Sequence, residues 1–420
     1  MLKGLDAVLL FILSVPIVMT YRILPVEGTP YWLFGLFFLA NITNVFLSLL
    51  ETPFSDEYHR RWKVWLVCFI IAISFGGSMV TAISDRARTA PVFGVHDIIL
   101  QVEAAMRYLI EGKNPYKETY FGTFLEEWHY AENGKDAVNP ALYHFVMPPW
   151  YVLFPFVFYI IGLHTIGYFD ARMALFFCVF SSVILLWKWF RKKDLAYLAM
   201  TLITIAPGVI DYLIEGRSDG FALFWFLLAL MLLEKKHFVL SGIIYALALM
   251  SKQTIWFSLP FYFIHLYFAY SKNVFRMIKA LIPAAAVLTI LIFPFLLWDG
   301  QAFLESVVYY LSGNSPTSYP ISGYGLGMML YELGIIKDIH GYYPFIWWQI
   351  IIGLPLLIVV IRYYVTHRST GNFLLCYGFI LFIFWYLSRY LNNSHMTYVA
   401  LVVALGAIKL ADEKVHVSHE

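Results

Sequence analysis

The stretch LITIAPGVIDYLIEGRSDGFALFWFLLALMLLEKK, Leu202 to Lys236, sets the architecture. An apolar run ends in the polar turn Glu215-Gly216-Arg217-Ser218-Asp219-Gly220, and a second run starts at once and stops at Glu234-Lys235-Lys236-His237. Two such runs with so little between them read as helices that cross a lipid layer and turn back. In hydrocarbon every backbone polar group must be bonded internally, which leaves helices or closed barrels. Four polar side chains in so short a turn between membrane helices face water or a site.

The same pattern extends in both directions. A helix needs about 20 apolar residues to cross a bilayer, with a range of about 17–25. Runs of that kind are Leu5–Leu24, Tyr31–Leu50, Val64–Ser84, Phe169–Phe190, Leu195–Ile214, Trp256–Tyr270, Ala280–Trp298, Pro344–Ile361, Phe373–Leu387 and Tyr398–Leu410. Phe221–Leu233 and Phe238–Met250 are shorter and form a hairpin, which brings the expected number of transmembrane helices to about twelve. The first run has no small-residue cleavage site after it and reads as a span, not a signal peptide.

Composition agrees. Of 420 residues, 61% are hydrophobic and 13% charged, against about 45–50% and about 25% in soluble domains. That excludes a soluble globule, a coiled coil, a disordered chain and a secreted disulfide scaffold. A net charge of +2 without a basic run gives no footing for nucleic acid. Cys68, Cys178 and Cys376 all fall in apolar runs, too few for a disulfide framework or a zinc site.

Orientation follows from the basic residues, which collect on the cytoplasmic side of membranes. The apolar stretch Pro148–Leu163 is short and opens Met-Pro-Pro. If it does not cross, Arg60, Arg61, Lys63, Arg191, Lys192, Lys193, Lys235, Lys236, Lys272, Arg276, Arg362 and Arg368 fall inside. It therefore reads as a re-entrant or surface-lying helix on the outer leaflet of a cell membrane, with both termini cytoplasmic. Two long extracytoplasmic loops result, 85–168 and 299–343, within one transmembrane domain spanning 1–420. Structureless loops of such length are functional or disordered, and their aromatic content argues for order.

The first loop contains GVHDIILQVEAAMRYLIEGKNPYKETYFGT, Gly94 to Thr123. Ile98, Val102, Ala105, Met106, Leu109 and Ile110 recur at helical spacing, predicting an amphipathic helix along the membrane surface. Gly112 and Asn114-Pro115 stop it. Asp97 stands just before it, either as a helix cap or as a carboxylate acting as general base. Asp219 has the same two readings at its own helix. Lys252 in LMSKQTIW, Arg389 in FWYLSRYLNNSH and Arg172 near the first loop lie at outer ends of spans. Singly such cations snorkel to headgroups; together they form a phosphate site. No His-x-x-x-His spacing, phosphate-binding glycine loop or serine elbow is present, and His96 beside Asp97 is the only histidine with suggestive company.

These features resemble the GT-C superfamily of membrane glycosyltransferases, which use polyprenyl-phosphate sugars. The resemblance rests on His96-Asp97 with Glu111-Gly112-Lys113-Asn114-Pro115-Tyr116, on IAPGVIDYLIEGRSDGFALF, on SRYLNNSHMTYVAL and on MPPWYVLFP. NPYKETY is similar to the polyprenyl-phosphate-mannose-dependent enzymes. The resemblance implies an all-α GT-C fold and an inverting transfer of a hexose, mannose first, to a lipid-linked or glycan acceptor. It implies Asp97 as catalytic base, and it implies His96, Tyr116, Arg172, Arg217, Asp219, Lys252 and Arg389 as substrate-binding residues. Where Asp-x-Asp members have a second acid this chain has Val95, which suits the metal-independent members better than those that bind a divalent metal. A transporter, flippase or polymerase of lipid-linked glycans is the competing reading.

Overall fold

The computed structural model describes residues 4–20, 31–50, 56–132 and 135–417. It is helical nearly throughout, and each expected apolar run holds a helix. By length and composition, six of these can cross a membrane: Tyr31–Leu49, Tyr58–Arg88, Arg172–Trp189, Val274–Ser312, Ile346–Thr366 and Asn393–Lys414. A seventh arises if Lys193–Ile205 and Val209–Glu215, bent by 50°, form one span. Among the described residues this test gives six or seven spans where twelve were expected, and the end of the expected span Leu5–Leu24 lies outside the described residues. The physical reason is early termination. Phe238–Leu249 has 12 residues, about 18 Å of helix, against about 30 Å of hydrocarbon.

Breaks occur where the sequence forces them. Pro207 cannot donate to the helical ladder, and Gly208 beside it has φ +77°. Val209–Glu215 then ends at Gly216, φ +90°, with the Arg217 amide donating to the Tyr212 carbonyl at 2.8 Å. Such a left-handed glycine is the usual helix stop.

Contacts divide the chain into two compact units. One comprises 1–95 and 175–217, the other 96–174 and 218–420. In the first, the buried Lys63 ammonium lies 2.9 Å from both Asp6 and Asp194, joining helices Leu5–Thr20, Asp56–Ile71 and Lys193–Ile205. A buried cation is tolerated only when paired in this way.

The second unit carries the expected loops. Helix Asp97–Ile110 buries Ile99, Leu100, Val102, Ala104, Ala105 and Met106, more of its circumference than a helix lying on a lipid surface. Its Gln101 amide donates to the carbonyls of Ala141 (2.6 Å) and His144 (2.7 Å), and its Glu103 carboxylate accepts from the Ala171 amide at 3.0 Å. It is clamped by protein, unlike the surface helix expected. The Pro148–Leu163 segment forms helices Trp150–Leu153 and Pro155–Thr165, with Val157, Ile160, Ile161 and Leu163 exposed. In the second loop, Ser322–Gly323 pairs in parallel with Tyr390–Leu391. A Cβ on Gly323 would sit 2.1 Å from the Leu391 carbonyl oxygen, so no other residue fits there.

Tyr116 joins these loops to helix Val274–Leu304. Its hydroxyl donates to the Met147 carbonyl at 2.9 Å, and its ring meets Phe145, Phe295 and Phe303 with centroids 4.8–5.4 Å apart. The Ser306 hydroxyl donates to its carbonyl at 3.1 Å. Replacing a buried ring by a methyl group costs about 3–5 kcal/mol. Tyr116→Ala is expected to lower unfolding stability in detergent by that amount; a loss below about 1 kcal/mol would contradict this packing role.

Candidate active site

Asp97 occupies the first helical position, and His96 takes the capping position the sequence offered to Asp97. The Asp97 carboxylate is met from three directions. His96 Nδ1 lies 2.5 Å from Oδ1, the Asn139 amide donates to Oδ2 at 3.2 Å, and the Ile98 backbone N–H, which donates to His96 Nδ1 at 3.4 Å, adds its positive field. Burial pushes this carboxyl up, but His96, Asn139 and Ile98 outweigh it and hold the group below the usual carboxylate range. The positive end of the helix favours the same ionised form. Asn139 is itself fixed, its Oδ1 accepting from the Ala141 amide at 2.9 Å. The His96 ring packs beside Trp128, centroids 5.8 Å apart. The Asp97 charge reaches Tyr130 and Tyr310.

Asp219 and Lys252 meet directly. Asp219 opens helix Asp219–Glu234, and its Oδ1 accepts from the Lys252 ammonium at 2.6 Å. Both side chains keep 15–18% exposure, so water or a ligand reaches them. Lys252 stands in the extended link between helix Phe238–Leu249 and the 3-10 turn Gln253–Ser258. The next residue, Gln253, donates to the carbonyls of Val146 (2.5 Å) and Val307 (3.2 Å). The Lys252 link is thereby held to both long loops.

The remaining predicted residues have commitments of their own. The Arg389 guanidinium is 2% exposed and donates to the carbonyls of Tyr319, Ile339, His340 and Gly341. Gly313 makes room for it, since a Cβ there would lie 2.6 Å from Nη1. Arg172 and Asp170 form a fork in which Nε meets Oδ1 at 3.0 Å and Nη2 meets Oδ2 at 2.7 Å, both side chains fully buried. Arg217 belongs to the first unit, where it pairs with Glu215 at 3.0 Å and covers the Tyr212 ring. The other predicted residues all fall in the second unit.

Several contributors went unread in the sequence. Asn139 and Trp128 belong to no periodic pattern. His144 is nearly buried, with Nδ1 3.4 Å from Ser306 Oγ and Nε2 2.7 Å from Thr317 Oγ1. Burial pushes its imidazole down, partly opposed by Glu305. It ties the first loop to the second. Among the described residues, no group of three or more His, Cys, Asp and Glu side chains gathers as a metal site.

The profile of glycosyltransferase family 87 matches residues 145–405, more than half of the chain. The chain belongs to glycosyltransferase family 87. This is a family of GT-C type, and its members are membrane glycosyltransferases. Family 87 membership favours the transferase reading over the transport one. The matched segment takes in Arg172, Asp219, Lys252 and Arg389 and begins after Asp97. No curated protein and no solved structure matches the chain.

Arg389 makes a prediction of its own. A lysine keeps the charge but cannot reach four carbonyls with a planar fork. Arg389→Lys is expected to destabilise the protein by about 2–3 kcal/mol, read from unfolding in detergent. An unchanged midpoint would show that the fork does not hold the second loop.

Proposed function

We propose that this family 87 enzyme transfers a hexose, mannose being the first candidate, from a polyprenyl-phosphate donor to a lipid-linked or glycan acceptor. The reaction proceeds on the extracytoplasmic face with inversion at the anomeric carbon, and both termini lie in the cytoplasm. What supports this reading is that one compact unit holds both an ionised carboxylate, Asp97, and a partly accessible cation, Lys252, which is paired with Asp219.

Displacement at the anomeric carbon builds positive charge on the sugar and negative charge on the departing phosphate. A cation already in place stabilises that anion without reorganisation, and one such donor contributes about 3–4 kcal/mol. Lys252 suits the task because Asp219 holds the ammonium while leaving it accessible. A phosphate arriving there shares the ammonium with Asp219. Arg389 bonds only carbonyls, and its charge acts on the site as a fixed field. Arg172 and Tyr116 contribute by shaping the site's surroundings. The basic centre at Asp97 draws the proton from the acceptor hydroxyl, worth about 10²–10⁴-fold. The apolar side chains of Pro155–Thr165 offer a surface along which a lipid chain approaches.

Transfer of radiolabelled mannose from polyprenyl-phosphate mannose by the purified protein in liposomes tests this. Lys252→Met is expected to lower kcat about 10²–10³-fold, and Asp97→Asn about 10²–10⁴-fold. Full activity in either variant would remove that residue from the mechanism. Absence of transfer by the wild type from every polyprenyl-phosphate sugar tried would overturn the donor assignment.

A further inference from the structure

The end of the second unit away from the Asp219–Lys252 pair carries cations without acids. Helix Asp219–Glu234 leads there from Asp219, and helix Leu259–Ala269 leads there from the turn that follows Lys252. The two helices stop in tight turns, Lys235-Lys236-His237 and Ser271-Lys272-Asn273. The turns are neighbours, since the flanking Phe238 and Tyr270 rings lie 5.1 Å apart. A third helix, Leu354–Thr366, brings Arg368 to the same place.

The Phe268 ring gathers two of these cations. Arg368 Cζ lies 3.8 Å from its centroid and Lys272 Nζ 5.6 Å. Through the shared ring the two charges fall within a Debye length of each other, about 10 Å at 0.1 M salt. Like charges so placed repel unless an anion joins them. The acids at this end are committed elsewhere. Glu234 and Asp412 meet the buried Lys409 ammonium at 3.1 and 3.3 Å, and Glu413 accepts from the Thr370 and Gly371 amides. Among the described residues, Lys235, Lys236, Lys272 and Arg368 enter no ion pair, and a side-chain N–H of Arg368 donates to the Val365 carbonyl.

The backbone of the turns points the same way. Among the described residues, the non-glycines in the left-handed region are Lys236 (φ 62°), Ser271 (φ 53°) and Lys272 (φ 64°), all in these two turns. Glycine is the usual occupant of such helix stops and adopts the conformation without strain. At two of the three positions the chain carries a cation instead.

The surface beside the cations is apolar. Phe275, Ile278 and Ile282 recur on one face of helix Val274–Leu304 and are 53–78% exposed. Ile358 and Val359 are exposed on Leu354–Thr366. Both helices lie in candidate membrane spans with little burial inside the protein, so hydrocarbon chains cover them. A molecule that satisfies both surfaces has an anionic head and acyl chains.

We propose that Phe268, Lys272 and Arg368 form a binding site for the phosphate of an anionic phospholipid, with Lys235 and Lys236 at its rim and the acyl chains against Phe275, Ile278 and Ile282. Arg368 offers paired N–H donors to the phosphate oxygens, and Lys272 a point charge. A lipid seated there joins the ends of three helices. The site lies at the far end of the helices from Asp219 and Lys252 and does not rest on the transfer reading.

The full-length protein, stripped of lipid in a non-ionic detergent, is titrated with phosphatidylglycerol or with phosphatidylcholine of the same chains, and bound lipid is counted by native mass spectrometry. Phosphatidylcholine carries the same phosphate with its own cation, so the comparison isolates net charge. Each cation at a membrane surface contributes about fivefold to anionic-lipid binding, so wild type is expected to favour phosphatidylglycerol about thirtyfold. Lys272→Gln and Arg368→Gln are each expected to lose about fivefold, and the double variant the whole preference. Both side chains are exposed, and a thermal unfolding scan checks that the variants fold. Arg362→Gln removes an exposed cation from the same helix and is expected to bind like wild type. Equal binding of the two lipids by wild type would overturn the site without recourse to any variant. A loss in Arg362→Gln as large as in Lys272→Gln would show attraction by overall charge and overturn it too. Displacement of phosphatidylglycerol by millimolar inorganic phosphate would make it a site for soluble anions and overturn the lipid assignment.

Discussion

A half-buried ionised carboxylate at the start of a helix must be met by donors, and the second unit is arranged around that requirement. Asp97 is met by His96, the Asn139 amide and the field of the Ile98 amide. Supplying Asn139 requires the 139–144 segment to lie over helix Asp97–Ile110, which Gln101 secures through two carbonyls. Holding that segment requires His144 to reach the second loop and Tyr116 to lock beneath it. The site's chemistry and the packing of its loops are thus one problem.

The cations divide by how their charge is satisfied. Arg172 is neutralised in a buried fork with Asp170, and replacing either partner alone would strand a charge. Arg389 is used as a bracket, gathering carbonyls from Tyr319 and 339–341 into one place. Of Lys252 and Arg389, Lys252 is the one whose charged end keeps access to water. Lysine is the appropriate residue there, being a compact point charge on a flexible stem, whereas the planar fork of arginine suits the fixed carbonyl array.

Much of this was legible in the sequence, and the failures have identifiable causes. The apolar runs, the turn at 215–220 and the stop at Gly112 follow from local chemistry, and the structure bears them out. Span number did not follow, because apolar runs show where a helix is tolerated and not where it ends. The run Leu195–Ile214 reads as continuous, yet Pro207 and Gly208 bend it by 50°. The Asp97–Ile110 helix reads as amphipathic, but Gln101 and Glu103 turn inward because backbone groups far along the chain need partners. Asn139 was illegible for the same reason, lying 42 residues from the carboxylate it serves. His96 and Asp97 were singled out, but the cap falls on His96 and not on Asp97, since adjacent polar residues leave the capping position ambiguous.

The account stands or falls on direct displacement of a lipid phosphate by an acceptor hydroxyl. The anomeric configuration of the glycoside, compared by NMR with that of a polyprenyl-phosphate donor of known anomeric form, tests it most directly. A single displacement predicts the opposite configuration in the product, with one polyprenyl phosphate released per sugar transferred. Retained configuration, or transfer proceeding from a nucleotide sugar without release of polyprenyl phosphate, would contradict it.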